Sequence, residues 1–430
     1  MSRPFTTPSD LRFCPFYGRG DRISHPAAKE IRMNFGRTSA LFVLALSASV
    51  FVPSFASNHK VPTNVAYVSE EGGQISVIDL NSFQLLRTIQ PKDIAPRGIS
   101  LAGDGRYVVT ANKGTSDISV FDARSLRLIR RIQVGGNPEF IKIQPTGKWL
   151  FVSCEPVSTP RPPGQSAASQ EDDATSQIVI VNTQGWSPGR RFAAGNETEG
   201  IEFSRDGRLL IVANEGQNTL SVFNIATGQH TRDVDLASYG SRPRGVKLSP
   251  QGDAYAVTME ASSTLLLLDE NFKVTHSVAT GAMPDGVAFD RQGRRVVVAA
   301  ARAQKIQFFS IDTLQLVGEA PVGQRCWHFT FTPDDSQIWV ACGRSNSVDV
   351  IDAVTYDPVR SLTGFLLPGG IVTSPRAYGS LDLPERPEIQ ARVGFLACLR
   401  REVANCDHPP ILWQDAPSWR CLHQTDLCLR

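Results

Sequence analysis

The 430-residue chain lacks the short signatures by which many enzymes announce themselves: there is no G-x-S-x-G elbow, no H-E-x-x-H, no Walker loop and no dinucleotide fingerprint. A nucleophile therefore cannot be named. C-x-x-C-H is also absent, which gives covalent haem no support. Charge of one sign is lacking too: 44 Lys and Arg against 42 Asp and Glu leave a net +2, with no basic field to draw nucleic acid. Histidine is scarce at seven residues, so imidazole-rich metal chemistry has little material. Eight cysteines are present, but only Cys154, Cys326 and Cys342 fall in the patterned part of the chain. Cys398, Cys406, Cys421 and Cys428 cluster near the C-terminus at spacings that match no common zinc pattern. The reading that follows contains no cofactor and no metal.

Long apolar runs are lacking but for Thr38 to Val52. Preceded by Met33-Asn34-Phe35-Gly36-Arg37 and followed by small residues at Ser54 and Ala56, this run reads as a secretory signal peptide over 33–56, cleaved after Ala56. It is short for a spanning helix, so no stable membrane insertion is expected after cleavage, and no Cys follows it to carry a lipid. The expected location is the periplasm. Residues 1–32 are an upstream extension, left out of the fold reading.

What is present is a repeat. A tight turn recurs at Asp104-Gly105, Thr146-Gly147, Asp206-Gly207, Gln251-Gly252, Gln292-Gly293 and Asp334-Asp335, with spacings of 42, 60, 45, 41 and 42 between second positions. Each turn is followed by a strand-like run: YVVTAN, LFVSCE, LIVANE, YAVTME, VVVAAA and IWVACG, with a further copy, AYVSEE, from Ala66. Each unit carries four such runs, named A to D from the axis outward; in the second these are GISLAG, RYVVTA, DISVFD and LRLIRRIQV. This predicts an all-β, seven-bladed β-propeller of four-stranded antiparallel blades over residues 57–384. The C runs tend to end in a short polar residue (Asp79, Asp122, Asn182, Asn224, Asp269, Ser310, Asp352), the side-chain type that caps a turn. Runs without alternation, such as Leu265 to Leu268, fit blades buried on both faces.

The first B run precedes the first A run. The last A run, GGIVTSP from Gly369, must therefore share a blade with the runs at 65–90, a one-plus-three closure that removes free inner edges. The 60-residue spacing marks an insertion of about 18 residues over the usual unit, placed in a loop at 155–177 whose Pro, Ser, Gln and acidic content suits a surface segment. Residues 376–384 can finish against the propeller, whereas 385–430 are aperiodic and Cys-containing. Cys326 and Cys342 face each other in the derived hairpin, and an oxidising compartment permits a disulfide between them.

Loops at the D-to-A and B-to-C connections share one face of a propeller around its axis. The residues just before the A runs are Arg97, Glu139, Glu199, Arg244, Asp285, Trp327 and Gly369; the B-run ends add Asn112, Glu155, Glu215 and Glu260. Such a ring fits a small polar ligand in the channel, or charges that only pair with one another and hold the blades in register. His328 is the histidine near this mouth, whereas His230 and His276 belong to outer D strands.

The segments RGISLAGDGRYVVTAN, GNPEFIKIQPTGKWLFVSCE, ETEGIEFSRDGRLLIVANE, RPRGVKLSPQGDAYAVTME and VGQRCWHFTFTPDDSQIWVACGRSNSVDVID resemble the YVTN-repeat (YncE-like) propellers, most closely those associated with PQQ-dependent catabolism. The resemblance covers about 61–384 and includes the succession Arg97, Glu139, Glu199, Arg244 and Trp327. It implies a periplasmic protein of undefined biochemical role tied to quinoprotein alcohol or amine oxidation; with no nucleophile to name, the expectation is an accessory or binding protein with a periplasmic dehydrogenase or cytochrome as candidate partner, and whether it is itself an enzyme stays open. Gly369 departs from the family pattern, where Trp is more frequent. Two alternatives stand beside it: a lactonase-like propeller hydrolase, and an electron-transfer dehydrogenase subunit.

Overall fold

The computed structural model describes residues 62–156 and 175–382. Its 28 strands form seven four-stranded antiparallel sheets, the seven-bladed propeller that the repeat predicts. Blade 1 has the order Pro368–Ser374, Val65–Glu70, Gln74–Asp79, Leu85–Ile89, so its inner strand comes from the far end of the chain. Val65 pairs with Ser374 and Val68 with Ile371. The A strands of blades 2 to 7 are Pro96–Ala102, Asn137–Ile143, Thr198–Phe203, Pro243–Leu248, Pro284–Phe289 and Cys326–Phe331. They begin one to three residues earlier than the sequence suggested, so the seven entrance residues lie inside the strands and not before them. The signal peptide, the extension at 1–32, most of the 155–177 loop and the 385–430 tail lie outside the described residues.

Local chemistry sets the blade shape. Gly207, at φ 69°, closes the turn after Asp206, whose carboxylate accepts from Ser204 Oγ (2.6 Å) and the Arg208 amide (3.0 Å). At the C-to-D turns, Asp79 accepts from the amides of Asn81 and Ser82, and Asp352 from those of Val354 and Thr355. The repeated polar residues are thus turn caps. Central strands are buried on both faces, as at Leu265 to Leu268 and Val296 to Val298, because neighbouring blades cover each side. Outer D strands keep exposed aliphatics, and His230 and His276 lie there, also exposed.

A β-bulge recurs where each A strand meets its B strand. The register slips between Pro96 and Ile99, Pro138 and Ile141, Thr198 and Ile201, Pro243 and Val246, and Pro284 and Val287, and near Trp327 and Gly369 in the remaining blades. A bulge leaves a residue unpaired and re-aims its side chain. The extra residue here is the entrance residue. The next position is usually glycine, because the chain passes against the following blade: a Cβ on Gly245 would stand 2.5 Å from the Asp285 carbonyl oxygen, and one on Gly286 2.3 Å from that of Trp327. Only blades 3 and 7 depart from glycine there, with Phe140 and His328.

After Ser374 the chain enters the lower end of the channel. Gly379 bridges Thr330, the Phe331 amide donates to the Tyr378 carbonyl (2.7 Å), and the Ser380 amide donates to that of Phe329 (2.9 Å). Arg376 donates to the Leu101 carbonyl and Lys247 to that of Asp382, while Thr330 Oγ1 reaches the Asp382 carboxylate at 3.0 Å. Ala377 to Asp382 are all buried. This strap ties blades 2, 5 and 7 together across the axis.

Candidate functional site

Bulge geometry brings six of the entrance side chains to the upper end of the channel, where residues at the ends of five B strands, Glu71, Lys113, Glu155, Glu215 and Glu260, join them. Arg244 is the hub. Its guanidinium meets Glu199 (3.1 Å), Glu215 (2.9 Å), Glu260 (3.3 Å) and Asp285 (2.9 Å). Arg97 meets Glu139, lies 3.5 Å from Glu199 and 4.0 Å from Glu71. Trp327 carries three guanidinium groups over its ring, with centroid distances of 3.9 Å for Arg325, 4.7 Å for Arg97 and 5.1 Å for Arg244. Gly369 contributes no side chain.

Asn112 is not part of this set. It is fully buried inside blade 2, where it donates to Asp117 (2.6 Å) and Ser119 (2.8 Å) and accepts from Thr110 (2.9 Å). Asn214 braces blade 4 in the same way through Ser221. Both are last residues of B strands, one position before the channel; the blade 2 residue in register with Glu215 is Lys113, which reaches Glu139 at 3.0 Å. Sequence reasoning also passed over Glu71, paired with Arg325 (3.1 Å), and Arg242, which bridges Glu197 (2.8 Å), Glu215 and Glu260 (3.1 Å). Comparing the blades at one register, two residues before each entrance residue and one past the Asn112 and Asn214 position of each B strand, would have found them.

Among the described residues the cup therefore holds five cations, Arg97, Lys113, Arg242, Arg244 and Arg325, and eight carboxyl groups, Glu71, Glu139, Glu155, Glu197, Glu199, Glu215, Glu260 and Asp285. The excess of acid shows in their protonation. Burial, with the nearby charges of Glu139 and Glu199, pushes Glu155 up to about 8. Burial also lifts Glu215 to about 9 and Asp285 to about 7, although both touch Arg244. Burial works in the same direction on Glu199, but Arg244 and Arg97 outweigh it and hold that carboxylate below its ordinary range. Glu139 is raised, by burial first and Glu199 second.

Glu155 differs from the rest. It is half-buried, no cation lies within ion-pair distance of it among the described residues, and its carboxyl group hydrogen-bonds that of Glu139. Oxygens of Glu139, Glu155 and Glu199 lie within 4.8 Å of one another, a grouping that on donor type alone suits a divalent cation. Arg97 already sits against two of the three and supplies the positive charge there.

Phe140 and His328 form the floor of the cup, edge to face at 5.9 Å between ring centroids. Ser380, on the strap, places its hydroxyl 3.3 Å from His328 Nδ1 and accepts from the Phe329 amide. Burial, then Arg244 and Arg97, push the imidazole down to about 3, so it is neutral at ordinary pH. At the rim of blade 7, Cys326 and Cys342 are joined by a disulfide on either side of the strand pair that carries Trp327.

A protein-family model described as lactonase, seven-bladed β-propeller, matches residues 51–159 and 167–276, just over half of the chain. The chain belongs to this family. Among curated proteins, Antigen Lp49 of Leptospira interrogans is 22% identical over 161 residues, 35% of this chain and 32% of that protein; the chain thus spans about a third of the length of this relative. A functionally unknown protein from Desulfotomaculum acetoxidans superposes with a TM-score of 0.62 at 16% identity, covering 72% of this chain and 98% of that one. The periplasmic gluconolactonase PpgL of Pseudomonas aeruginosa gives a TM-score of 0.59 at 16% identity, over 74% and 99% of the two chains. At such identities these structures share the fold with this lactonase-family propeller.

Proposed function

We propose that the protein is an exported hydrolase of cyclic esters, acting in the cup at the upper end of the channel. The carrying observation is Glu155, a carboxyl group without an ion pair among the described residues, hydrogen-bonded to Glu139 and near the Arg97 guanidinium. Two carboxyl groups that share one proton provide an acid and a base at the same pH. In this reading Glu139 takes a proton from water as its oxygen adds to the lactone carbonyl carbon. Arg97 balances the charge that develops on the carbonyl oxygen. The ring C–O bond then breaks, Glu155 gives its proton to the departing ring oxygen, and transfer along the Glu139–Glu155 hydrogen bond restores the pair. Family membership supports the reading. The disulfide and the signal-like segment support export to the periplasm, the location in the printed name of the P. aeruginosa neighbour.

The second reading is the non-enzymatic accessory of a quinoprotein system, and the mutual satisfaction of Arg244 by four carboxylates favours it, since such a network can serve register alone. The two meet chemically, because oxidation of a cyclic hemiacetal yields a lactone. A pH-stat screen of the purified protein against sugar and aliphatic lactones tests the choice. Turnover that falls about 10²-fold or more in Glu155→Gln supports the hydrolase. Turnover unchanged in that variant, or none with any lactone, leaves the accessory reading in its place.

A further inference from the structure

We infer that the cup accepts an uncharged, polyhydroxylated ring and rejects its phosphorylated counterpart. The reaction rests on the hydrolase reading above; the selection is a property of binding and stands or falls by itself. A phosphate ester needs cations whose charge is not already taken. Here each of the five cations in the cup has a carboxylate within 3.5 Å, including Arg325 through Glu71 and Lys113 through Glu139. To engage phosphate, one of them must leave that partner, and the buried carboxylate left behind loses its compensation. The remaining acids add repulsion, which their protons relieve only in part.

The lower channel offers no alternative seat. Lys142 and Lys247 there are buried to within 2% of completely and bonded to Glu202 (3.0 Å) and to the Asp382 carbonyl, and Arg376 of the strap is held by the Leu101 carbonyl. Phe140, His328 and the strap residue Ser380 pack together next to them. Hydroxyl groups suit what remains. Carboxylates accept O–H donors, and His328 presents Nε2 with no hydrogen-bond partner among the described residues, while Ser380 occupies Nδ1. A sugar-like ring can thus be bound without breaking an ion pair.

Two measurements on the full chain test this. Isothermal titration with D-glucose and with glucose 6-phosphate reads binding alone; D-glucono-1,5-lactone and its 6-phosphate read turnover. We expect the phosphorylated member of each pair to be disfavoured by about tenfold or more at low ionic strength, with the gap narrowing in salt. Glu71→Gln releases Arg325 at the rim and should narrow the ratio of the two affinities severalfold, the ratio and not D-glucose binding itself being the readout. Equal or tighter binding of the phosphorylated sugar overturns the inference, as does no binding of D-glucose or an unchanged ratio in Glu71→Gln. Discrimination in binding with no turnover of these or any other lactone in the pH-stat screen overturns the hydrolase reading and leaves the selection intact.

Discussion

The two ends of the channel are built from the same residue types and behave differently. At the lower end Lys142, Glu202, Lys247 and Asp382 are sealed under a strap, each bonded to a fixed partner. At the upper end Arg and Glu side chains are paired just as closely, yet acids outnumber bases and Glu155 and Trp327 stay in reach of solvent. What separates a structural ion network from a candidate site here is the surplus group and the open side, not the presence of charge.

The sharpest test of this contrast removes the lower end entirely. Deleting residues 369–375 takes away the inner strand of blade 1 and the start of the strap, and should abolish the cooperative unfolding transition in circular dichroism; an unchanged melt would defeat the closure. Next, Lys142→Ala leaves Glu202 buried without its cation and should cost about 3–5 kcal/mol in urea unfolding, with sugar binding by the remaining folded protein unaltered. Replacing Cys326 and Cys342 together by Ser should cost about 2–4 kcal/mol by the same assay. Glu155→Gln inverts the pattern: a loss of turnover with a melting temperature that hardly moves at pH 7.

The smallest effect is in the pH dependence of stability. Glu155, Glu215 and Asp285 hold protons in the folded state that the unfolded chain has already released above about pH 5. The folded form thus binds more protons, and stability should fall as pH rises toward about 8 to 9. His328 works oppositely: neutral when folded and protonated when unfolded, it costs stability as pH falls from about 6.5 toward about 3. Three carboxyl groups outweigh one imidazole, so melting temperatures should fall from about pH 5 upward to pH 9, and Glu155→Gln should flatten that decline.

The fold was legible because propeller blades repeat. Turn pairs such as Asp206-Gly207 and caps such as Asp352 recur at fixed offsets, and the displaced first B strand dictates the shared blade. The entrance ring was legible for the same reason, though Asn112 was taken one residue too early: polar side chains end both kinds of B strand, and only Lys113 keeps the channel register in blade 2. Alternation could not show that the entrance residue sits on a bulge. The strap was visible only as a continuation, since Arg376, Ser380 and Asp382 occur once and their partners lie in three distant blades. Phe140 and His328 carried a signal that went unread, as the two side chains where other blades have glycine.

Because the strand that completes blade 1 is followed at once by the strap, ring closure and channel sealing are encoded in one stretch, 368–382. During synthesis, Val65 waits for a partner that emerges about three hundred residues later. Until then six blades stand as an open arc with two raw inner edges, a chain committed to its secondary structure but still threadable. The stretch 368–382 therefore decides both that the propeller becomes a ring and that the ring becomes a vessel with a bottom.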